Sequence, residues 1–151
     1  MKNLSEGGRE VIFDAEHFFD GYAADPDYAK RVILAAYKAG AGRIVLCDTN
    51  GATLPWEIED VVARVATEFP YIKFGIHCHN DMGTAEAATS AAVRAGAVHV
   101  QGTVSGVARD AATPTSRQLF RSSSFAWTAT AWVRISTSSH VRRARSWMRQ
   151  T

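Results

Sequence analysis

The chain has 151 residues, 46% of them hydrophobic, and a formal net charge of +2, enough apolar material for one ordinary domain with a core. Its two cysteines stand in neither a CxxC nor a zinc-like spacing, which argues against a disulfide framework and for a reducing, cytoplasmic setting. No apolar run approaches the length of a membrane span, and Met1-Lys2-Asn3-Leu4 lacks the apolar stretch of a signal peptide, so no membrane partner is expected.

After a polar lead, Glu10-Val11-Ile12-Phe13-Asp14-Ala15-Glu16 reads as a buried strand ending in acids. Asp14 and Glu16 share a face by the period-two rule. His17-Phe18-Phe19-Asp20-Gly21-Tyr22 reads as two aromatics and a turn. Asp25-Pro26 opens a helix with a capping acid and a proline in the first turn. Tyr28, Val32, Ala35, Ala36 and Ala39 recur along it at helical spacing, and Gly40 stops it. A second strand over 43–47 runs into Asp48-Thr49-Asn50-Gly51. Thr53-Leu54-Pro55 opens the next helix, with Ile58, Val61, Val62 and Val65 as its buried stripe.

The third strand, over 72–77, leads through Gly75-Ile76-His77-Cys78-His79-Asn80-Asp81. Successive strand side chains alternate between faces, so His77 and His79 project together and Cys78 points the other way. Two imidazoles on one face form a pair of candidate metal ligands, although a strand end can carry such a pair with no ligand at all. An alanine-rich helix follows, stopped by Gly96, and a fourth strand lies over 97–101. His99, in mid-strand, is expected to be a satisfied core or interface residue, His17 a structural loop residue, and Cys47 and Cys78 buried inert thiols.

Strands and helices alternate at about thirty residues, which requires right-handed crossovers and a parallel sheet. The expected class is α/β, with about four parallel strands and three helices. Such a unit suits either an open doubly wound sheet or part of a (β/α)8 barrel. No G-x-G-x-x-G loop follows the first strand, and every strand ends in polar residues, which favours the barrel.

The succession VIFDAEHFFDGY, RIVLCDTNGATLP, IKFGIHCHNDMGTA and GAVHVQGT resembles the pyruvate-carboxyltransferase-like domain of the acyl-CoA condensing synthases and their lyase relatives. That group contains isopropylmalate, homocitrate and citramalate synthases and hydroxymethylglutaryl-CoA lyase. The segments 16–22 and 47–51 are most similar to the citramalate synthase branch. The resemblance covers about residues 8–106 and implies the C-terminal half of a (β/α)8 barrel.

The resemblance also implies a site at the C-terminal mouth of that barrel. A divalent cation (Mg²⁺, Mn²⁺ or Zn²⁺) would be held by His77 and His79. Glu16 would be the base or base-orienting acid, and Thr49 a hydroxyl donor to the keto-acid substrate. Asp48 would shape its loop, and Asn80 and Asp81 would orient the histidines. The implied partners are small molecules, pyruvate or another 2-keto acid with acetyl-CoA as co-substrate, and the full-length protein would be a homodimer. Isopropylmalate or homocitrate synthase, or a carbon-carbon lyase, is the alternative within the same group.

Residues 107–151 differ in kind. They hold eight arginines, one acid and fourteen Ser/Thr, whereas 1–106 hold nine Lys/Arg against fourteen Asp/Glu. The family pattern continues with Gly-x-Gly-Glu-Arg-x-Gly-Asn-Ala-x-Leu, and this chain does not. Back-translating residues 110–116 and reading from the third base of the first codon permits Arg-Gly-Asn-Ala-Asp-Leu, the missing motif. The expectation is a partial barrel domain over 1–106 and an irregular, non-native tail over 107–151, read out of frame. Its arginines are then no evidence for a nucleic-acid partner. The family's earlier strands, with their metal-binding Asp, are expected to precede Met1, which leaves the chain as written inactive.

Overall fold

The computed structural model describes residues 6–102. The expected tail over 107–151 lies outside these residues. Four strands, β1 (Ile12–Ala15), β2 (Arg43–Asp48), β3 (Phe74–Cys78) and β4 (His99–Gln101), form one sheet in the order β1-β2-β3-β4. Each neighbouring pair is parallel.

Four helices stand between the strands: α1 (Phe18–Ala24), α2 (Pro26–Lys38), α3 (Pro55–Glu68) and α4 (Ala85–Arg94). The sequence anticipates three of them and reads α1 as a turn. A seven-residue segment with an internal glycine has little intrinsic helicity. Its helix is a product of tertiary burial, since Phe18 and Phe19 are both 4% exposed, with their rings edge to face at 5.6 Å.

The other helices begin and end where their sequence signals lie. The Asp25 carboxylate accepts the Tyr28 N–H at 2.9 Å and Pro26 occupies the first turn of α2. Gly40, at φ 95°, carries the chain out of α2 in a left-handed conformation that suits glycine. At α3, the Glu57 carboxylate accepts the Leu54 N–H at 3.0 Å, and Pro55 has no N–H to leave orphaned.

Alternation along each strand sorts side chains onto two faces. Ile44 and Leu46 of β2, Phe74, Ile76 and Cys78 of β3 and Val100 of β4 join one apolar cluster with Ile33 of α2, Ile58, Val62 and Val65 of α3, and Ala88 and Ala92 of α4. Burying a Leu or Ile side chain of this kind contributes about 1.5–3 kcal/mol each, so this layer carries most of the stability.

The opposite face carries Asp14, Val45, Gly75 and His99 in one rung and Cys47, His77 and Gln101 in the next. Asp14 and Gln101 lie on strands at opposite edges of the sheet, which a flat sheet would hold roughly 14 Å apart at about 4.8 Å per strand. Their side chains are nonetheless hydrogen-bonded at 2.9 Å. The sheet is therefore curled, with the polar face concave and the helices outside, as in part of a parallel barrel.

Candidate active-site mouth

Glu16 follows the last residue of β1, Thr49 follows β2, His77 lies in β3 and His79 follows it, so all four sit at the C-terminal ends of strands. The Thr49 hydroxyl accepts the His17 N–H at 2.8 Å and donates to Glu16 Oε2 at 2.8 Å. A hydroxyl has one proton, and here Glu16 takes it. His17 reaches this position with φ 54°, in the left-handed region. Its Nδ1 lies 3.2 Å from Asp20 Oδ2, which also accepts the Asn50 amide N–H at 2.9 Å. The loops after β1 and β2 are thus tied through side chains of both.

The two imidazoles are neighbours, with ring centroids 5.2 Å apart and tilted by 43°. Both rings are half-buried. His77 Nδ1 lies 2.9 Å from Gln101 Oε1. The His79 N–H donates to the Asp48 carbonyl at 3.1 Å, and the Met82 N–H to the Gly51 carbonyl at 3.3 Å, so the segment after β3 is stitched to the loop after β2. This close approach requires a glycine. A Cβ at Gly51, where φ is +59°, would stand 2.5 Å from Asp81 Oδ2 and 2.9 Å from the His79 carbonyl carbon.

Three sequence expectations change here. Asn80 makes no hydrogen bond to either imidazole among the described residues: its amide oxygen accepts the Ala85 N–H at 3.0 Å and caps α4, whose own N-cap residue, Thr84, makes no side-chain capping bond. Asp81 packs against Gly51, and the orienting contact to His77 comes from Gln101. His99 is not satisfied either, because it is 1% exposed and both its ring nitrogens lack a hydrogen-bond partner among the described residues. Asp14 and Gln101 are the residues that sequence reading left out of the site. The available signal was a polar side chain at the inward position of a strand whose outward position, Val100, is apolar.

Asp48 is 3% exposed and turns away from the mouth. Its carboxylate accepts the Thr53 hydroxyl at 2.8 Å. Burial raises its pKa, and the Thr53 hydroxyl with the backbone N–H groups of Thr53 and Ala52 works against that rise. Asp48 therefore shapes the loop, and through its carbonyl holds His79. Both cysteines are free and buried. Burial pushes the Cys78 thiol up to about 12 and raises Cys47 still further, where the Glu16 and Asp14 carboxylates add to the effect. Neither is a nucleophile near neutral pH.

A divalent cation fits this donor set in part. Imidazole nitrogens suit zinc, iron, nickel and copper, whereas manganese and magnesium favour oxygen donors, and two imidazoles stand side by side on the concave face. Among the described residues no group of three or more His, Cys, Asp or Glu is arranged to hold a metal, so these residues supply two donors and not a complete shell.

Known proteins share this arrangement of elements. The chain is 55% identical over 98 residues to (R)-citramalate synthase of Aquifex aeolicus and 52% identical over 106 residues to that of Streptomyces coelicolor. These matches cover 65% and 70% of this chain but 19% and 20% of the relatives, so the chain spans about a fifth of their length. Homocitrate synthase of Sulfurisphaera tokodaii is 38% identical over 100 residues, 66% of this chain and 21% of that protein. Among solved structures, the HMG-CoA lyase of Bacillus subtilis superposes with a TM-score of 0.64 at 17% identity, covering 79% of this chain and 43% of that one. The carboxyl transferase domain of Rhizobium etli pyruvate carboxylase gives 0.69 at 19% identity over 85% of this chain and 22% of that one. These structural likenesses bear on the fold alone, a partial α/β barrel. The HMGL-like family model matches residues 2–113, all four strands and both histidines included, and the chain belongs to that family.

Proposed function

We propose that this chain carries part of the catalytic barrel of a metal-dependent acyltransferase that condenses acetyl-CoA with pyruvate to give (R)-citramalate, in branched-chain amino-acid biosynthesis. The observation that carries the reading is the similarity gap: 55% and 52% identity to two citramalate synthases over 98 and 106 residues, against 38% to a homocitrate synthase over 100 residues. The geometry of the mouth supports it. A divalent cation held by His77 and His79 would supply Lewis-acid polarisation of the keto carbonyl.

Glu16 stands at the same end of the sheet with Oε2 engaged by Thr49, which holds the carboxyl group in place and leaves Oε1 to accept a proton from the methyl group of acetyl-CoA. Thr49 becomes a donor to the keto acid only by giving up its bond to Glu16, so the two roles alternate. Asp48, Asn80 and Asp81 shape the loops. We assign the region after about residue 106 to a shifted reading frame, although the family match itself runs on to residue 113. We assign the 151-residue chain no turnover by itself, since its described residues offer two metal donors.

The test measures free CoA thiol released from acetyl-CoA with pyruvate, 2-oxoisovalerate or 2-oxoglutarate, with Mg²⁺, Mn²⁺ or Zn²⁺ added. It compares the 151-residue chain with a frame-corrected, full-length version. Pyruvate-dependent turnover only in the corrected version is expected. Turnover by the 151-residue chain that disappears on His77→Ala would overturn the assignment of inactivity, and preference for another keto acid would move the protein to another branch of the group.

A further inference from the structure

Asp14, Gln101 and His77 form a chain of side-chain hydrogen bonds across the concave face, from β1 through β4 to β3. We propose that this chain fixes the tautomer of His77, with Asp14 acting through Gln101 so that Nδ1 carries the proton and Nε2 offers its lone pair at the mouth. Asp14 and Gln101 are then positioning residues.

The direction of the chain follows from donor and acceptor inventories. An ionised carboxylate only accepts hydrogen bonds, so the atom of Gln101 that lies 2.9 Å from Asp14 Oδ1 must be the amide nitrogen. The Gln101 oxygen is thereby turned to His77 Nδ1, 2.9 Å away. A carbonyl oxygen only accepts, so Nδ1 must donate. In the neutral ring the second nitrogen, Nε2, is then unprotonated and basic. Were the amide turned round, its oxygen would face a carboxylate oxygen with no proton between them, and its N–H would force Nδ1 to accept and close Nε2 with a proton.

Gln101 is well placed to impose this choice. It is 7% exposed, in the same rung as His77, and its two hydrogen bonds use both ends of the amide. Among the described residues His79 has no such side-chain partner; its position is set through the backbone, by its N–H to the Asp48 carbonyl. The two imidazoles are therefore not equivalent: one has its tautomer dictated, and the other is free to adopt the form its ligand selects. The inference rests on the metal reading above for its purpose but not for its chemistry. Outer partners of this kind typically change metal affinity about 10–100-fold when removed.

The test uses the full 151-residue chain, labelled with ¹⁵N in histidine, at a pH where the rings are neutral and without metal. Two-bond ¹H–¹⁵N correlation spectra distinguish the tautomers. His77 is expected to show a protonated Nδ1 and an unprotonated Nε2. In Asp14→Asn, an isosteric change at an exposed residue, the partner amide can present either end, so an Nε2-protonated population appears. Gln101→Leu loses the preference and weakens Zn²⁺ binding, measured by competition with a chromogenic chelator, by about 10–100-fold. An Nε2-protonated His77 in the unsubstituted chain, or an Asp14→Asn spectrum unchanged from it, overturns the proposal. An Nδ1-protonated His77 that shifts in Asp14→Asn, in a chain that takes up no Zn²⁺, upholds the tautomer chain and sinks the metal reading instead.

Discussion

The helix-facing side of the sheet and its concave side are built from the same strands by different rules. On the outer side, Ile44, Leu46, Phe74, Ile76 and Cys78 close against helical Ile, Val and Ala side chains in one apolar layer. On the concave side, Asp14, His77, His99 and Gln101 lie on those strands one residue out of phase. Three of them are linked in series, and the fourth, His99, is buried with neither ring nitrogen satisfied among the described residues. An apolar layer gains stability from buried area and close packing, and volume-conserving substitutions in it cost little. A polar layer gains only where each donor meets an acceptor, so its residues are chosen by geometry and charge. The outer face holds the fold, and the concave face holds the candidate site, where the His99 ring nitrogens lack partners among the described residues.

Substituting neighbours on β3 separates the two faces most sharply. Ile76→Ala removes a fully buried outer side chain and should destabilise the chain by about 2–5 kcal/mol, read from the urea midpoint. His77→Ala, the next residue, removes a half-buried side chain on the concave face and should change the midpoint by no more than about 1 kcal/mol while abolishing metal uptake. Equal losses at both positions would mean that the concave face is also a packed core.

A smaller effect is expected from Gly75→Ala, which asks how tightly the concave face is filled. The added Cβ would meet His99 Cδ2 at 2.9 Å and Val45 Cγ2 at 3.0 Å. Overpacking should cost about 1–3 kcal/mol, and the double variant with His99→Ala should recover most of it. Failure of the double variant to recover any would show that the strain comes from Val45 Cγ2, 3.0 Å away, or from the backbone and not from the His99 ring.

The smallest effect is a pH slope. Burial, and then the nearby Arg43 guanidinium, lower the His99 pKa below its usual value near 6.5. The unfolded chain therefore binds a proton that the folded chain refuses, and the contribution of His99, fully present above the unfolded pKa, is lost as pH falls from about 6.5 through the folded pKa. His99→Leu should flatten the fall in urea midpoint between about pH 7.5 and pH 5. Since Asp48 titrates in both chains, the difference between the two curves isolates His99; parallel curves would contradict the buried, neutral assignment.

Much of this was legible in the residues because it depends on local spacing. Alternation placed His77 and His79 together and Cys78 behind them, and Asp25-Pro26, Gly40 and Pro55 marked helix ends through hydrogen-bonding needs that any fold must meet. The crossover rule then required a parallel sheet in chain order. The contents of the mouth were less legible, because they join residues far apart in sequence. No periodicity pairs Asp14 with Gln101, 87 residues away, and only the curl of the sheet brings its two edges within a hydrogen bond. Asn80 followed the histidines in sequence and was expected to serve them, yet a bare helix N-terminus lay within reach of its amide. The helix at Phe18 formed because two aromatic rings were buried, not because its residues favour helix. Sequence determined which side chains share a face, since backbone geometry sets that within a few residues. Tertiary structure decided which of them meet, since that depends on how far the sheet bends and which donors are left without partners.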